Sequence, residues 1–154
     1  MKQVHHLDDL VRGLELSLRQ LVVYLNPETG QVAAVSPEAF HAVEKGGSDS
    51  RVAWEQMEVR LAADILGNPV WIRLPTRLEV DEYDIMQRFV RNVVVNEAKI
   101  HELNRVLQSG LAERRWETTV TALNLADDWQ RFRRQMLRRA MRNWCMLQEL
   151  AFEE

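Results

Sequence analysis

The C-terminal half of the chain most constrains the fold, because every segment after Thr76 has the residue spacing of a helix. Apolar residues recur there at three- and four-residue steps, as they do on one face of an α-helix. Weak breaks at Asn96, Gly110 and Asn124 divide the region, since asparagine and glycine favour helix ends. The sequence therefore predicts four helices, over residues 79–95, 97–109, 111–122 and 125–150.

The first 75 residues combine helix and strand patterns. Leu7, Leu10 and Leu14 follow helical spacing with Asp8 and Asp9 in the first turn, which predicts a helix over residues 7–18. The apolar runs 21–25 and 31–35 flank the turn-forming segment 26–30 and predict a hairpin with a five-residue loop. Residues 70–74 are too few for a stable helix, so they predict a third strand at the edge beside the hairpin.

Two further helices are expected in this part. Ser36 and Pro37 form an N-cap followed by a first-turn proline, which is typical of a helix start. Residues 51–66 predict a longer helix that buries one apolar face, formed by Trp54, Met57, Leu61, Ile65 and Leu66. Between the two helices, the composition of residues 45–50 predicts a mobile surface loop.

These elements predict an α+β fold that is mostly helical. An N-terminal helix and a small antiparallel sheet, made of the hairpin and one strand, would pack with a C-terminal bundle of four helices. A chain of 154 residues buries enough surface to form a core without disulfide or metal support. We expect residues 1–154 to form a single domain, with a mixed helix and strand part (1–75) and a helical part (76–154).

The sequence also indicates the cellular location of the protein. The apolar runs are far shorter than the roughly 20 residues needed to cross a bilayer, so no membrane span is expected. The first residues lack the basic and apolar regions of a secretory signal. Cys145 is the only cysteine, so no disulfide can form within the chain. We therefore expect a cytoplasmic protein.

The last predicted helix carries an arginine stripe, defined as Arg131, Arg134, Arg138 and Arg142, which share one side of the helix. The opposite side is predicted to be buried and consists of Leu125, Trp129, Phe132, Met136, Ala140, Leu147 and Leu150. Guanidinium groups bind phosphate and carboxylate, so the stripe is a candidate contact for nucleic acid or for an acidic partner. The alternative is a solvated helix face on which Asp127 pairs with Arg131.

Arg133 differs from the stripe because helical spacing places it beside Trp129, Ala140 and Trp144, on the side that faces the core. A buried charge without partners is very costly. We therefore expect Arg133 to be at least half covered and to pair with an acid or with helix carbonyls.

Arg114, Arg115 and Trp116 form a second candidate binding group. Aromatic residues beside basic ones stack and bond to nucleic-acid strands. The favoured alternative is that the ring of Trp116 packs inward while the arginines pair with Glu113, Glu117 or a neighbouring helix.

Residues that carry most enzyme chemistry are scattered along the chain. The histidines, at positions 5, 6, 41 and 101, lack metal-ligand spacing, and the glycines match no phosphate-binding loop. The acidic groups open predicted helices, where helix capping explains them. Cys145 lies near the arginine stripe, where positive charge would favour a reactive thiolate, although a buried apolar role is favoured. We expect no cofactor, no metal and no catalytic residue, although an enzyme site assembled from distant residues stays open.

Short motifs distributed along most of the chain resemble a family of small bacterial proteins. They are the hairpin Tyr24-Leu25-Asn26-Pro27-Glu28-Thr29-Gly30-Gln31-Val32, the strand end Ile72-Arg73-Leu74-Pro75, the segment 82–90, and Arg114-Arg115-Trp116 followed by Trp129, Phe132, Ala140 and Trp144. The chain is thereby similar to uncharacterised protein family 0158, for which the resemblance implies no activity. The family's Gly-Ala-Phe-Arg-Arg-Phe-Lys stretch becomes residues 110–117 here, with Glu117 in place of the lysine.

These features favour a non-enzymatic interaction or regulatory protein. It would bind another protein, or a second copy of itself, through its helical C-terminal part. The alternative is a nucleic-acid-associated protein that contacts phosphates through the arginine stripe with Arg114 and Arg115.

Overall fold

The computed structural model describes residues 3–46 and 53–154, with the backbone alone described for residues 53–55. Its elements are β1 (Val4–His6), α1 (Leu7–Leu18), β2 (Val22–Leu25), β3 (Val32–Val35), α2 (Pro37–Glu44), α3 (Ala53–Gly67), β4 (Ile72–Arg73), α4 (Glu82–Asn92), α5 (Glu97–Gln108), α6 (Ala112–Ala122), α7 (Ala126–Leu147) and β5 (Ala151–Glu153). The predicted α+β, mostly helical fold is confirmed. Most of the predicted 45–50 loop, from residue 47 onward, and the side chain of Trp54 lie outside the described residues.

The chain divides into two compact units. Unit 1 contains residues 1–79 and 140–154, and unit 2 contains residues 80–139. Helix α7 begins in unit 2 and ends in unit 1. The C-terminal residues 140–154 thus belong to the same unit as the mixed helix and strand part, and the single domain expected for residues 1–154 stays a prediction.

Unit 1 contains the three-stranded sheet that the hairpin pattern predicts. Strand β2 pairs antiparallel with β3, placing Val22 opposite Val35, and β4 pairs antiparallel with the other edge of β2. The turn closes because the side-chain oxygen of Asn26 accepts hydrogen bonds from the N–H groups of Glu28 and Thr29, and because Gly30 adopts a φ of 81°. The predicted hairpin and the edge position of the third strand are both confirmed.

Helix α1 has the bounds that its sequence predicts and lies close to this sheet. Its leucines at positions 7, 10, 14 and 18 are buried. A Cβ at Gly13 would lie 3.0 Å from Leu74 Cδ2 and 3.0 Å from Val32 Cγ1. The absence of a side chain at Gly13 therefore lets the helix approach the strand residues.

Helix α3 buries only part of the predicted apolar face. Ala62 and Ile65 are buried, but Met57 is 68% exposed and Leu66 is also exposed. Ala62 and Ile65 belong to a core cluster with Ala33, Val35, Ala39 and Trp71. Leu61 of the predicted face is partly buried against the same cluster, whereas Met57 and Leu66 of that face lie exposed.

A short parallel pair of strands was not predicted from the sequence. Strand β1 pairs with β5, which places His5 beside Phe152 and His6 beside Glu153. His6 Nδ1 lies 2.9 Å from Glu153 Oε1. The predicted continuation of the last helix to residue 150 is wrong, because α7 ends at Leu147 and the chain resumes as a strand.

Three helices end with the same backbone arrangement. Gln20, Asn124 and Glu149, which follow α1, α6 and α7, all have positive φ angles, of 72°, 60° and 57°. Each is followed by a leucine whose N–H donates to a carbonyl five residues earlier. This left-handed closure satisfies carbonyl groups at the helix end, a role that glycine usually fills.

Unit 2 is helical, and α4 and α5 begin with the expected capping residues. The Asp81 side chain accepts hydrogen bonds from the N–H groups of Tyr83 and Asp84 at the start of α4, and Asn96 caps α5 in the same way. The hydroxyl of Tyr83 donates to the carbonyl of Leu107 at 3.1 Å. This bond joins the first turn of α4 to the last turn of α5, so the two helices run antiparallel.

Helix α7 buries a row that shifts around the helix. Leu125, Trp129, Leu137, Met141 and Cys145 are buried, with spacings of four or eight residues. A row of residues four apart is inclined to the helix axis. The predicted straight face is therefore wrong at its far end, where Leu147 is 81% exposed, while Phe132, Met136 and Ala140 are partly buried.

Candidate functional site

An aromatic cluster in unit 2 fixes the helices that carry the candidate arginines. Trp116 of α6 and Trp129 of α7 meet edge to face with ring centroids 5.1 Å apart, and Phe89 of α4 contacts both rings. Trp129 Nε1 donates to Glu117 Oε1 at 3.2 Å. Edge-to-face aromatic pairs contribute about 0.5–1.5 kcal/mol beyond their buried area, so the cluster holds α6 and α7 in a defined orientation.

Trp116 itself is not available to a partner. Its residue surface is only 1% exposed, because the ring lies against Phe89 and Trp129. The alternative that the ring packs inward therefore describes the structure, and stacking of Trp116 on a nucleic-acid base does not.

Arg114 and Arg115 lie exposed on α6. Within the described part of the chain, neither guanidinium forms a salt bridge, so the expected pairing with Glu113, Glu117 or a neighbouring helix is not seen. Glu117 instead accepts the hydrogen bond from Trp129. Both arginines can bind an anion without first breaking an ion pair.

The arginine stripe is less uniform than its spacing suggests. Arg131 and Arg134 are exposed, whereas Arg138 and Arg142 are partly buried. Arg131 lies 3.6 Å from Asp128, one turn earlier, and not against the expected Asp127. Arg142 pairs with Glu154. At least two of the four stripe residues are therefore paired with carboxylates.

Arg133 behaves as its position on the helix predicts. Its side chain is only 19% exposed, and Nε donates to Glu82 Oε1 at 3.0 Å. The predictions that Arg133 is mostly covered and that it pairs with an acid are both confirmed.

Cys145 is a core residue. It is fully buried in unit 1, and burial raises the pKa of its thiol to about 11, because a thiolate there would lose its hydration. A reactive thiolate promoted by the arginine stripe is therefore not what the structure contains. The buried apolar role describes this residue.

The remaining titratable groups are dispersed. His5 is buried, its Nε2 has no hydrogen-bond partner among the residues that the structure describes, and burial lowers its pKa. Hydrogen bonds from the side chain and the N–H of Thr76 lower the pKa of Glu79. Among the residues that the structure describes, no three histidine, cysteine, aspartate or glutamate side chains are grouped so as to hold a metal ion.

A groove between α4 and α5 was missed from the sequence. Its volume is 650 Å³, and it is lined by Tyr83, Gln87, Val90 and Arg91 of α4 and by Ile100, Asn104, Leu107 and Gln108 of α5. Each helix contributes positions i, i+4, i+7 and i+8, so the lining forms two facing rows. The same spacing can be read from the sequence, but it is also typical of a helix face that is buried in a core, so it does not predict a groove.

No family model, no curated protein and no solved structure matches this chain. Membership of uncharacterised protein family 0158 stays a prediction. No helix in the described ranges is long and apolar enough to cross a membrane.

Proposed function

We propose that this protein is a non-enzymatic interaction or regulatory protein that binds an acidic surface of another protein through α6 and α7. The observation that supports the proposal is a set of exposed guanidinium groups without salt bridges in the described part of the chain. They belong to Arg114, Arg115, Arg134 and Arg139. Arginine forms bidentate bonds with carboxylates and is enriched among the residues that dominate binding energy at protein interfaces.

Several other arginines of unit 2 are paired with carboxylates. Arg88 is held by Asp84 at 2.8 Å, Arg105 by Glu102 at 3.3 Å, and Arg133 by Glu82. The unpaired groups on α6 and α7 are also carried by helices that the aromatic cluster orients. A partner would therefore meet arginines on a preorganised backbone, which lowers the entropic cost of binding.

An acidic protein surface suits these helices better than a nucleic acid does. A phosphate backbone favours a continuous row of cations, but Asp128 and Glu154 neutralise two residues of the arginine stripe. A second copy of this chain is also a protein partner of the proposed kind, because it supplies acidic residues.

The test is a charge-reversal variant with a matched control. The variant combines Arg114→Glu, Arg115→Glu and Arg134→Glu, and the control places the same charge change on exposed residues of unit 1 with Arg19→Glu, Lys45→Glu and Arg60→Glu. Each protein is tagged, incubated with lysate either treated or not treated with nuclease, and cross-linked, and the cross-linked residues are mapped by mass spectrometry. We expect an acidic partner to cross-link to α6 and α7 in the wild type and the control but not in the variant.

Two results would oppose the proposal. A partner retained equally by the charge-reversal variant would show that these arginines do not form the interface. Capture that disappears with nuclease, together with oligonucleotide affinity that falls steeply with salt, would favour the nucleic-acid alternative. Analytical ultracentrifugation of the purified wild type and variant reports whether the partner is a second copy.

A further inference from the structure

The groove between α4 and α5 has a shape into which a third helix could pack. The hydrogen bond from Tyr83 to the Leu107 carbonyl holds the two helices antiparallel at one end of the groove. The rows from Tyr83 to Arg91 and from Ile100 to Gln108 each span eight residue steps, which is about 12 Å along a helix. Helices pack by inserting a ridge of side chains into a groove of this kind.

The floor and the rim of the groove differ in polarity. Val90 and Leu107 are buried and Ile100 is partly buried, so the floor is apolar. Gln87, Asn104 and Gln108 are exposed carboxamides at the rim. A narrow apolar stripe would fit between groups that both donate and accept hydrogen bonds.

The residues that line the groove carry a positive charge at one end only. Arg91 is the only charged residue among those that line the groove. It is exposed and forms no salt bridge within the part of unit 2 that the structure describes. The nearby acidic residues Asp84 and Glu102 are instead paired with Arg88 and Arg105. The charge that complements this groove is therefore a single carboxylate at the Arg91 end.

We propose that the groove binds an amphipathic helix of a partner protein, with a narrow apolar stripe on the floor and a carboxylate against Arg91. The stripe contacts Val90, Ile100 and Leu107, and the rim carboxamides bond to polar groups on either side of it. Helix-in-groove binding of this kind depends on apolar anchors at successive helical turns. A nucleic acid fits less well, since the lining has one cation. The groove does not include Arg114, Arg115 or Arg134, so this inference is independent of the proposed function.

The probe is a phage-displayed library of amphipathic helical peptides about four turns long, in which the apolar stripe is kept and the polar positions vary. The library is selected on the whole wild-type protein, and the strongest binder is synthesised. We expect selected peptides to be enriched in aspartate or glutamate at one end. Chemical-shift changes in ¹H–¹⁵N spectra are expected at the groove residues.

Charge reversal then tests the role of Arg91. We expect Arg91→Glu to weaken peptide binding by about tenfold or more, because it places like charges together. A peptide with lysine in place of its terminal acid is expected to recover affinity for that variant. Arg60→Glu, which makes the same charge change at an exposed residue of unit 1, is expected to change affinity by about twofold or less, since it affects only the long-range field.

Several outcomes would overturn the inference. They are a failure to enrich any helical peptide, shift changes that map outside α4 and α5, and equal loss of affinity in Arg91→Glu and Arg60→Glu. Dimerisation of the wild-type protein through the groove, detected as displacement of the bound peptide by added unlabelled protein, would also overturn the inference. A second copy of the chain would then be the occupant. Circular dichroism of Arg91→Glu verifies that any loss comes from a folded protein.

Discussion

Arg133 of α7 and Glu82 of α4 form a partly buried ion pair in which Arg133 Nε lies 3.0 Å from Glu82 Oε1. Glu82 is the first residue of α4, where a carboxylate also interacts favourably with the helix dipole. The two residues are 51 positions apart in sequence. This ion pair thus joins the middle of a long helix to the start of another within unit 2.

Arg133→Met is expected to lower the free energy of unfolding by about 1–3 kcal/mol, because Glu82 loses a charged hydrogen-bond partner. Arg131→Met is the matched control on the same helix, since Arg131 pairs with Asp128 in an exposed position. That control is expected to change stability by about 0.5 kcal/mol or less. Urea unfolding followed by circular dichroism measures both values, and equal effects would show that burial of the Arg133 pair has no energetic consequence.

Cys145 is expected to resist alkylation while the protein is folded. Burial raises its pKa from 9.0 to about 11, so near pH 8 its thiolate fraction is about a hundredfold smaller than in the unfolded chain. The rate of reaction with iodoacetamide, followed by mass spectrometry, should therefore rise at least that much in urea. Glutathione in the same buffers controls for the effect of urea on the reagent. Equal rates in both conditions would contradict the buried position of the thiol.

The raised thiol pKa also predicts how stability changes at high pH. The unfolded chain releases the Cys145 proton near its ordinary pKa of 9.0, whereas the folded protein retains it up to about 11. Stability from this group is therefore present below pH 9.0 and is lost as the pH rises towards 11. Cys145→Ala is expected to show a smaller loss across this range in urea unfolding. An unchanged loss would assign the pH dependence to other groups.

His5 is expected to make the protein less stable in mild acid. Burial lowers its pKa in the folded state below the ordinary value of 6.5, so the unfolded chain takes up a proton first. Stability from this group is full above pH 6.5 and is lost as the pH falls from there through the folded-state pKa. His5→Leu should therefore show a smaller loss of unfolding free energy below pH 6.5 than the wild type. His41→Gln changes an exposed histidine and is expected to retain the wild-type dependence. The reverse ranking would assign the effect to another group.

Gly13→Leu is expected to destabilise unit 1 by about 1–3 kcal/mol, because the new side chain would be forced against Val32 and Leu74. Gly67 provides a contrast, since a Cβ there would meet no atom within 4 Å. Gly67→Ala is expected to leave stability unchanged or to raise it by up to about 1 kcal/mol. Thermal unfolding measures both variants, and a harmless Gly13→Leu would contradict the close approach of α1 to the sheet residues.

Local signals in the sequence predicted the elements that depend on nearby residues. Helix α1 has the predicted bounds because Asp8, Asp9 and regularly spaced leucines act within a few turns. The hairpin followed from the turn chemistry of residues 26–30. The β1–β5 pair could not be predicted in this way, because each strand is three residues long and its partner lies at the other end of the chain.

The candidate site shows the same division between local and distant information. Helical spacing predicted that Arg133 is covered and paired, but it could not select Glu82 from among the acidic residues. It also could not show that Trp116 contacts Phe89 and Trp129, which turns the ring away from any partner. The groove between α4 and α5 depends on how two helices pair, so its spacing alone resembled that of an ordinary core face.

The protein could be stabilised at the left-handed residues that end α1, α6 and α7. None of the three is glycine, and a left-handed conformation costs other residues about 1–2 kcal/mol, although less for asparagine. Glycine at Gln20 and Glu149 would relieve that strain while leaving the arginines of α6 and α7 and the α4–α5 groove untouched. The chain can therefore be made more robust for laboratory work at positions remote from both proposed binding surfaces in sequence.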